Sequence, residues 1–142
     1  MTPPRNNDPK PEETGIPHPS WDLLRSIAEA EVESTIRRLP KPLRTRAASI
    51  PVICEARPSR RLIADGYDPD LLGLFVGGAF GDDMVHGPPD LPAQILLFLE
   101  NLWDVSEGDY GVFREEVRTT YLHELGHYLG LDEIELGERG LE

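Results

Sequence analysis

The sequence predicts a single α+β domain with a helix near the N-terminus, a small sheet of three strands, and a long helix near the C-terminus. Three observations support this prediction: an apolar helical face after residue 20, three short apolar runs between residues 50 and 99, and a strongly periodic segment over about residues 110–129. A length of 142 residues suits one domain and is too short for two ordinary ones.

The N-terminal segment differs in composition from the rest of the chain. Residues 1–19 hold six of the 14 prolines and almost no side chain that a core could bury. We therefore predict a disordered, Pro-rich arm over residues 1–19 and a domain over residues 20–142. The arm contains no apolar stretch typical of a secretory signal, and no run of 18 apolar residues predicts a membrane span. With one cysteine, Cys54, no internal disulfide framework is possible, and we expect a cytoplasmic location.

The first helix is predicted to begin after Ser20, whose hydroxyl can cap it, with Asp22 as an acid in the first turn. Pro40 and Pro42 should end it. Spacings of three and four place the following side chains on one face: Trp21, Leu24, Ile27, Ala28, Val32, Thr35, Ile36 and Leu39.

Three short apolar runs, at residues 50–56, 71–76 and 95–99, predict the strands of the sheet. Between the second and third run lies a stretch rich in glycine and proline that also holds Asp82, Asp83, His86 and Asp90. We expect a solvated loop there, with cation binding or a position over a cleft as the alternative.

A second long helix is predicted over about residues 110–129, capped by Ser106 or Asp109 and ended by Gly130. Its core stripe follows steps of three and four: Tyr110, Phe113, Val117, Tyr121, Leu125 and Tyr128. Because Tyr121 and Tyr128 lie on this stripe, we expect them to serve packing, with stabilisation of an oxyanion as the alternative.

This helix carries the motif H-E-x-x-H at residues 123–127. Residues four apart lie one above the other on a helix, so His123 and His127 can bind one zinc ion through their imidazoles. Glu124 lies about 60° around the axis from His127, towards the core stripe, and should face the seam between helix and sheet. A carboxylate there can take a proton from a zinc-bound water, which predicts Glu124 as the catalytic base.

The third zinc ligand is predicted to be Glu133, because the stretch resembles the metzincin-type pattern H-E-x-x-H-x-x-G-x-x-H and Glu133 stands at the place of its last histidine, six residues after His127. Carboxylate oxygens are acceptable zinc ligands, and Gly130 allows the chain to turn between the two positions. Asp132 is the competing residue, and a water or no third ligand is the other alternative.

The charge of −12 is unevenly distributed along the chain. Residues 1–62 carry eleven bases and eight acids, whereas residues 63–142 carry three bases and eighteen acids. The acidic half should repel nucleic acid and attract a metal cation or a basic peptide, although the acids could serve solubility alone. We expect the basic cluster around Arg37, Arg38 and Arg57 to pair with the acidic half rather than to bind RNA.

The motif and its surroundings resemble the small bacterial minimal zincin-like metallopeptidases. Residues 123–133 fit that family's pattern H-E-x-x-H-[HY]-[FL]-G-[IL]-x-[DE], and residues 71–77 resemble its L-G-L-[FY]-x-G strand. Residues 92–98 resemble its P-x-x-I-x-L-[FY] strand less closely, and residues 115–120 resemble its E-x-V-x-x-T helix entry. The resemblance covers about residues 39–136. It implies a mixed three-stranded sheet, zinc ligands at His123 and His127, a general base at Glu124, and an acidic residue at position 133.

The resemblance therefore predicts a zinc-dependent peptidase that binds one zinc ion per chain and acts on a peptide or protein. The charge distribution and the absence of a long apolar run predict no nucleic acid or membrane partner. An extended peptide would lie along an exposed strand edge beside the zinc helix. The alternative is a non-catalytic protein that keeps this scaffold and binds a partner or a metal without turnover. That alternative follows from the short chain, which lacks the second subdomain that usually walls a protease cleft.

Overall fold

The computed structural model describes residues 17–78, 85–86 and 92–129, with only the backbone described at residues 78, 85 and 86. The described helices are α1 (Trp21–Arg37), α2 (Lys41–Ala48), α3 (Arg60–Ala64), α4 (Leu99–Val105) and α5 (Tyr110–Leu129). The described strands are β1 (Val52–Glu55), β2 (Gly73–Gly78), β3 (Val85–His86) and β4 (Gln94–Phe98).

The sheet has the strand order β1-β4-β2-β3. β1 is parallel to β4, whereas β2 is antiparallel to β4, so the predicted mixed sheet of three strands is confirmed. β3 adds a two-residue pairing at the far end of β2, where Gly77 faces His86. The register places Leu97 of β4 between Cys54 of β1 and Gly73 of β2.

Helices α1 and α5 pack on each other, and α5 also packs on β2 and β4. Every second residue of β4 is fully buried, as expected for the face of a strand that lies under helices. The fully buried apolar side chains of this core come from α1, α2, β4, α4 and α5: Leu24, Ala28, Ala47, Ile95, Leu97, Leu99, Leu102, Phe113, Val117, Tyr121 and Leu125. One face of α5 is thus packed against α1, α4 and the sheet.

Helix α1 begins as predicted, because the Ser20 side chain accepts a hydrogen bond of 3.1 Å from the Leu23 N–H. It ends at Arg37, just before the two prolines. Pro40 is then the N-cap of α2, and Pro42 lies in the first turn of α2. The prolines therefore end one helix and begin the next, because a first-turn proline needs no N–H partner.

The side chain of Asn101 on α4 holds the segment that leads into β2. This side chain is almost fully buried, and its Nδ2 donates two hydrogen bonds of 2.8 Å, to the carbonyls of Pro69 and Leu71. Its Oδ1 accepts a hydrogen bond from Arg57. These bonds fix the entry of β2 relative to α4, and β2 in turn lies against α5.

The last residues of the predicted arm contact the domain. Pro19 is buried, and His18 Nε2 lies 2.8 Å from Glu100 Oε1. The His18 ring also meets Trp103 edge-on, with 6.4 Å between ring centroids. Residues 1–16 lie outside the described residues, so the predicted disorder of the arm stays a prediction. None of the described helices is long and apolar enough to cross a membrane.

Candidate metal centre

Helix α5 has the bounds that the sequence predicts, and Asp109 caps it by accepting a 3.0 Å hydrogen bond from the Val112 N–H. The predicted core stripe is buried at Phe113, Val117, Tyr121 and Leu125. The opposite side of the last turns carries His123 and His127, whose side chains are exposed. Because of the helical periodicity, both imidazoles therefore lie on the same exposed face, away from the core.

His123 and His127 direct the same ring nitrogen towards one point. Their Nε2 atoms lie 3.0 Å apart, and their ring centroids are 4.6 Å apart. Tetrahedral zinc with Zn–N bonds of about 2.0–2.1 Å holds two nitrogen ligands about 3.3 Å apart. The two imidazoles therefore fit a shared zinc ion after an adjustment of a few tenths of an ångström.

Glu124 lies beside the two histidines and its carboxylate reaches the sheet. Its Oε1 accepts a hydrogen bond of 2.9 Å from the backbone N–H of Phe75 on β2. Glu124 is half-buried, whereas both histidines are exposed. The candidate ligand atoms of His123, Glu124 and His127, one from each residue, lie within 4.8 Å of one another. The position of Glu124 at the seam between helix and sheet agrees with the angular prediction from the motif.

The outer edge of β2 supplies the partner of Glu124. The Leu72 carbonyl accepts a hydrogen bond from the Phe98 N–H, so alternate residues of β2 direct their polar groups to β4. Phe75 is one of the intervening residues, whose N–H and carbonyl groups point away from β4. Its N–H is therefore directed to the outer edge of β2. The Glu124 carboxylate occupies this donor and so connects α5 to the strand edge.

The structure thus brings together three of the predicted site residues: His123, Glu124 and His127. The predicted third ligand, Glu133, and its competitor, Asp132, lie outside the described residues. The loop acids Asp82, Asp83 and Asp90 also lie outside them, and His86 is described by its backbone alone.

Tyr121 and Tyr128 of the core stripe are placed for packing. Tyr121 is fully buried, and its hydroxyl has no hydrogen-bond partner among the described residues. Burial raises the pKa of the Tyr121 phenol. Tyr128 meets Phe75 edge-on, with 5.5 Å between ring centroids. Both observations favour the packing role that was expected from the stripe.

Ion pairs partly match the pairing expected for the basic cluster. Arg57 lies 3.1 Å from Asp104, which belongs to the acidic half. Arg38 lies 3.6 Å from Glu31, which is an acid of the basic half. Glu31 is largely buried and also lies 3.7 Å from Arg118 of α5, so this acid connects α1 to the helix of the candidate site.

Sequence reasoning missed Phe75 as the partner of Glu124, because the donor is a backbone N–H and the residue type does not show what a backbone N–H binds. The available signal was Gly73, two residues earlier in a strand, since an interior glycine often marks a close approach of another segment.

Comparison with known families places these features in context. The sequence model of a family described as zincin-like metallopeptidase matches residues 47–141 of the chain. The match spans the four described strands and the whole of α5, and therefore includes the candidate metal centre. No curated protein matches the chain.

Proposed function

The chain belongs to the zincin-like metallopeptidase family, and on this premise we propose that it is a zinc-dependent peptidase that hydrolyses peptide bonds. One observation carries the proposal: two imidazole nitrogens 3.0 Å apart lie on the same helix as a carboxylate that the neighbouring strand orients. This arrangement supplies two ligands and a separate base on one rigid element.

The donor set suits zinc, and His123 and His127 would hold it, with Glu133 as the proposed third ligand and one ion per chain. Zinc supplies Lewis-acid polarisation of the substrate carbonyl and lowers the pKa of a water to about 7. In this proposal the chain's own part is to fix the two imidazoles on consecutive turns of α5 and to keep the base apart from them.

Glu124 is proposed as the general base, which later donates the proton to the leaving amine. The hydrogen bond from Phe75 engages one carboxylate oxygen, Oε1, and leaves the other free to accept the proton of a water. The same bond holds the side chain in a single orientation, because it spans from α5 to β2. A base that is positioned in advance loses less entropy when the substrate binds.

We propose that the substrate is an extended peptide that lies along the outer edge of β2. Among the described residues β3 pairs with this edge at Gly77 and Gly78, and Glu124 occupies the Phe75 N–H, so the remaining main-chain groups of the edge near Gly73 have no strand partner there. An extended peptide can add to such an edge by main-chain hydrogen bonds. Basic substrates are proposed because no Lys or Arg occurs between Arg61 and Arg114. The single cysteine supports a cytoplasmic location.

A peptide library tests the proposal directly. The full chain, loaded with zinc, should cleave members of the library, with faster cleavage of peptides that carry Lys beside the scissile bond than of matched Ala or Glu peptides at low salt. Glu124→Gln should abolish cleavage, because an amide cannot accept the proton. Glu115→Gln, an exposed acid on the same helix, is the matched control and should leave the rate unchanged. A zinc-loaded protein that cleaves no peptide would overturn the peptidase proposal in favour of a scaffold that binds without turnover.

A further inference from the structure

Helix α5 approaches the sheet closely at Gly73 of β2. A Cβ atom at this position would lie 2.6 Å from Thr120 Cγ2, a separation that carbon atoms do not adopt without movement. It would also lie 3.1 Å from the carbonyl oxygen of Leu96 and 3.5 Å from Glu124 Cγ. Gly73 therefore leaves the space that the methyl group of Thr120 fills.

This contact lies beside the hydrogen bond of the proposed base. Thr120 and Glu124 are four residues apart, so they lie one above the other on the face of α5 that meets β2. Thr120 packs over Gly73, and Glu124 accepts its hydrogen bond from Phe75, two residues further along the strand. The distance between helix and strand at Gly73 thus sets the distance between Glu124 Oε1 and the Phe75 N–H.

We propose that Gly73 is a positioning residue for Glu124. Its missing side chain lets α5 lie close to β2 where Thr120 packs over Gly73, and this close approach lets the Phe75 N–H orient the Glu124 carboxylate. The effect on catalysis rests on the proposed peptidase function. The effect on the Phe75 hydrogen bond is a property of the fold and can be measured without substrate or metal.

The zinc ligands should respond differently from the base. His123 and His127 both belong to α5, so their separation is set within one helix. A side chain at position 73 would move the helix outward and carry both imidazoles with it. The bond between Glu124 and Phe75 joins two elements and would lengthen. A substitution at Gly73 should therefore impair the base while it leaves the imidazole pair intact.

Four variants of the full chain test this inference: Gly73→Ala, Thr120→Ala, the double variant that combines them, and Gly111→Ala. The double variant removes the Thr120 methyl group that the new Cβ would meet at 2.6 Å, and should let the helix return. Gly111→Ala adds a methyl group in the first turn of α5, where its nearest contact is the flexible Asp109 carboxylate, and is the matched control.

The first measurement is hydrogen exchange of the Phe75 amide in the metal-free protein, with Glu124→Ala as the reference without the acceptor. Because hydrogen bonds to charged groups are strong, Glu124→Ala and Gly73→Ala should each reduce protection of this amide about ten- to a hundredfold. The double variant, Thr120→Ala and Gly111→Ala should stay close to the wild-type protection.

The second measurement is kinetic. Gly73→Ala should lower kcat about a hundredfold, since a misplacement of about 1 Å can have an effect of this size. The KM and the zinc affinity should stay near their wild-type values. The double variant should recover most of the lost kcat, and the unchanged zinc affinity and KM of Gly73→Ala separate a displaced base from a general loss of stability.

Each outcome decides the inference. Wild-type protection of the Phe75 amide in Gly73→Ala, or no recovery in the double variant, would overturn it. If Gly73→Ala does not fold but the double variant folds with a protected Phe75 amide, the inference is supported. If both fail to fold, the limiting contact is with the Leu96 carbonyl, and the inference is overturned. A protein that cleaves no peptide refutes the proposed function, whereas the exchange measurement still tests the role of Gly73.

Discussion

His123, Glu124 and His127 lie within five residues of one another, yet they meet two different environments. The imidazoles are exposed and converge through their Nε2 atoms, while the carboxylate is half-buried against β2. The spacing of the motif is sufficient to predict this separation, because the angles between positions on a helix are known in advance. The Phe75 N–H could not be predicted, since its position depends on the register of a strand about fifty residues earlier in the chain.

Tyr121 offers a test of core packing at the residue scale. Its hydroxyl is buried with no hydrogen-bond partner in the part of the chain that the structure describes, and an unpaired buried polar group lowers stability by about 1–3 kcal/mol. Tyr121→Phe keeps the ring and removes only this hydroxyl. We therefore expect an unchanged or higher free energy of unfolding, by up to about 2 kcal/mol, in urea denaturation. A loss of stability of more than about 1 kcal/mol would show that the hydroxyl has a partner, such as a buried water.

The assignment of the third ligand can be tested with two neighbouring acids. Glu133→Ala should weaken zinc binding about ten- to a hundredfold if Glu133 supplies a ligand oxygen. Even the loss of a residue that only supports a metal ligand lowers metal affinity by about this factor. Asp132→Ala is the matched control and should leave the zinc affinity within about threefold of the wild type. Titration of zinc into each variant measures the difference. The reverse result would assign the ligand to Asp132.

At the element scale, the long periodic elements were predictable and the short ones were not. α1 and α5 each present an apolar face over many turns, and both were predicted with their caps. α3 and α4 have five and seven residues, too few for a helical period to be distinguished from a strand. α4 also follows β4 without an intervening turn residue, so the third strand was expected to include Leu99. α2 was missed because its first turn contains Pro42, which was interpreted only as a stop signal.

Asn101 is expected to be the main polar link between α4 and the entry of β2. Asn101→Ala would remove both hydrogen bonds to the carbonyls of Pro69 and Leu71 and leave those groups without their donor. We expect a loss of about 1–3 kcal/mol in the free energy of unfolding, because two hydrogen bonds from a nearly fully buried side chain are lost together.

Arg57→Ala is the control for this prediction, because Arg57 contacts the same asparagine but is half exposed. It should lower the free energy of unfolding by less than about 1 kcal/mol. Equal effects of the two substitutions, measured by urea denaturation, would contradict a special role for the Asn101 amide.

At the scale of the whole molecule, His18 connects the segment before α1 to α4 through its hydrogen bond with Glu100. The hydrogen bond to Glu100 is the main cause that raises the pKa of His18 above 6.5, and the charges of Glu100 and Asp104 act in the same direction. Because the pKa is raised in the folded state, this contact stabilises the fold fully below about pH 6.5 and loses its effect as the pH rises through the folded value.

We therefore expect the stability difference between the wild type and His18→Gln to be larger at pH 5.5 than at pH 8. The difference should stay below about 1 kcal/mol, because more than half of the His18 side chain is exposed to solvent. Urea denaturation of both proteins at the two pH values measures it, and other titrating groups cancel in the comparison. A difference that is the same at both pH values would show that the imidazolium does not interact with Glu100.

The central claim is that α5 binds zinc through His123 and His127 while Glu124 acts as a base and not as a ligand. Titration calorimetry with zinc at pH 7.5 on the wild type, His123→Ala and Glu124→Gln tests it most directly. We expect one ion per chain in the wild type, an affinity within about threefold of this value in Glu124→Gln, and a loss of more than about tenfold in His123→Ala. No zinc binding by the wild type, unchanged binding in His123→Ala, or a loss of zinc in Glu124→Gln would contradict the account.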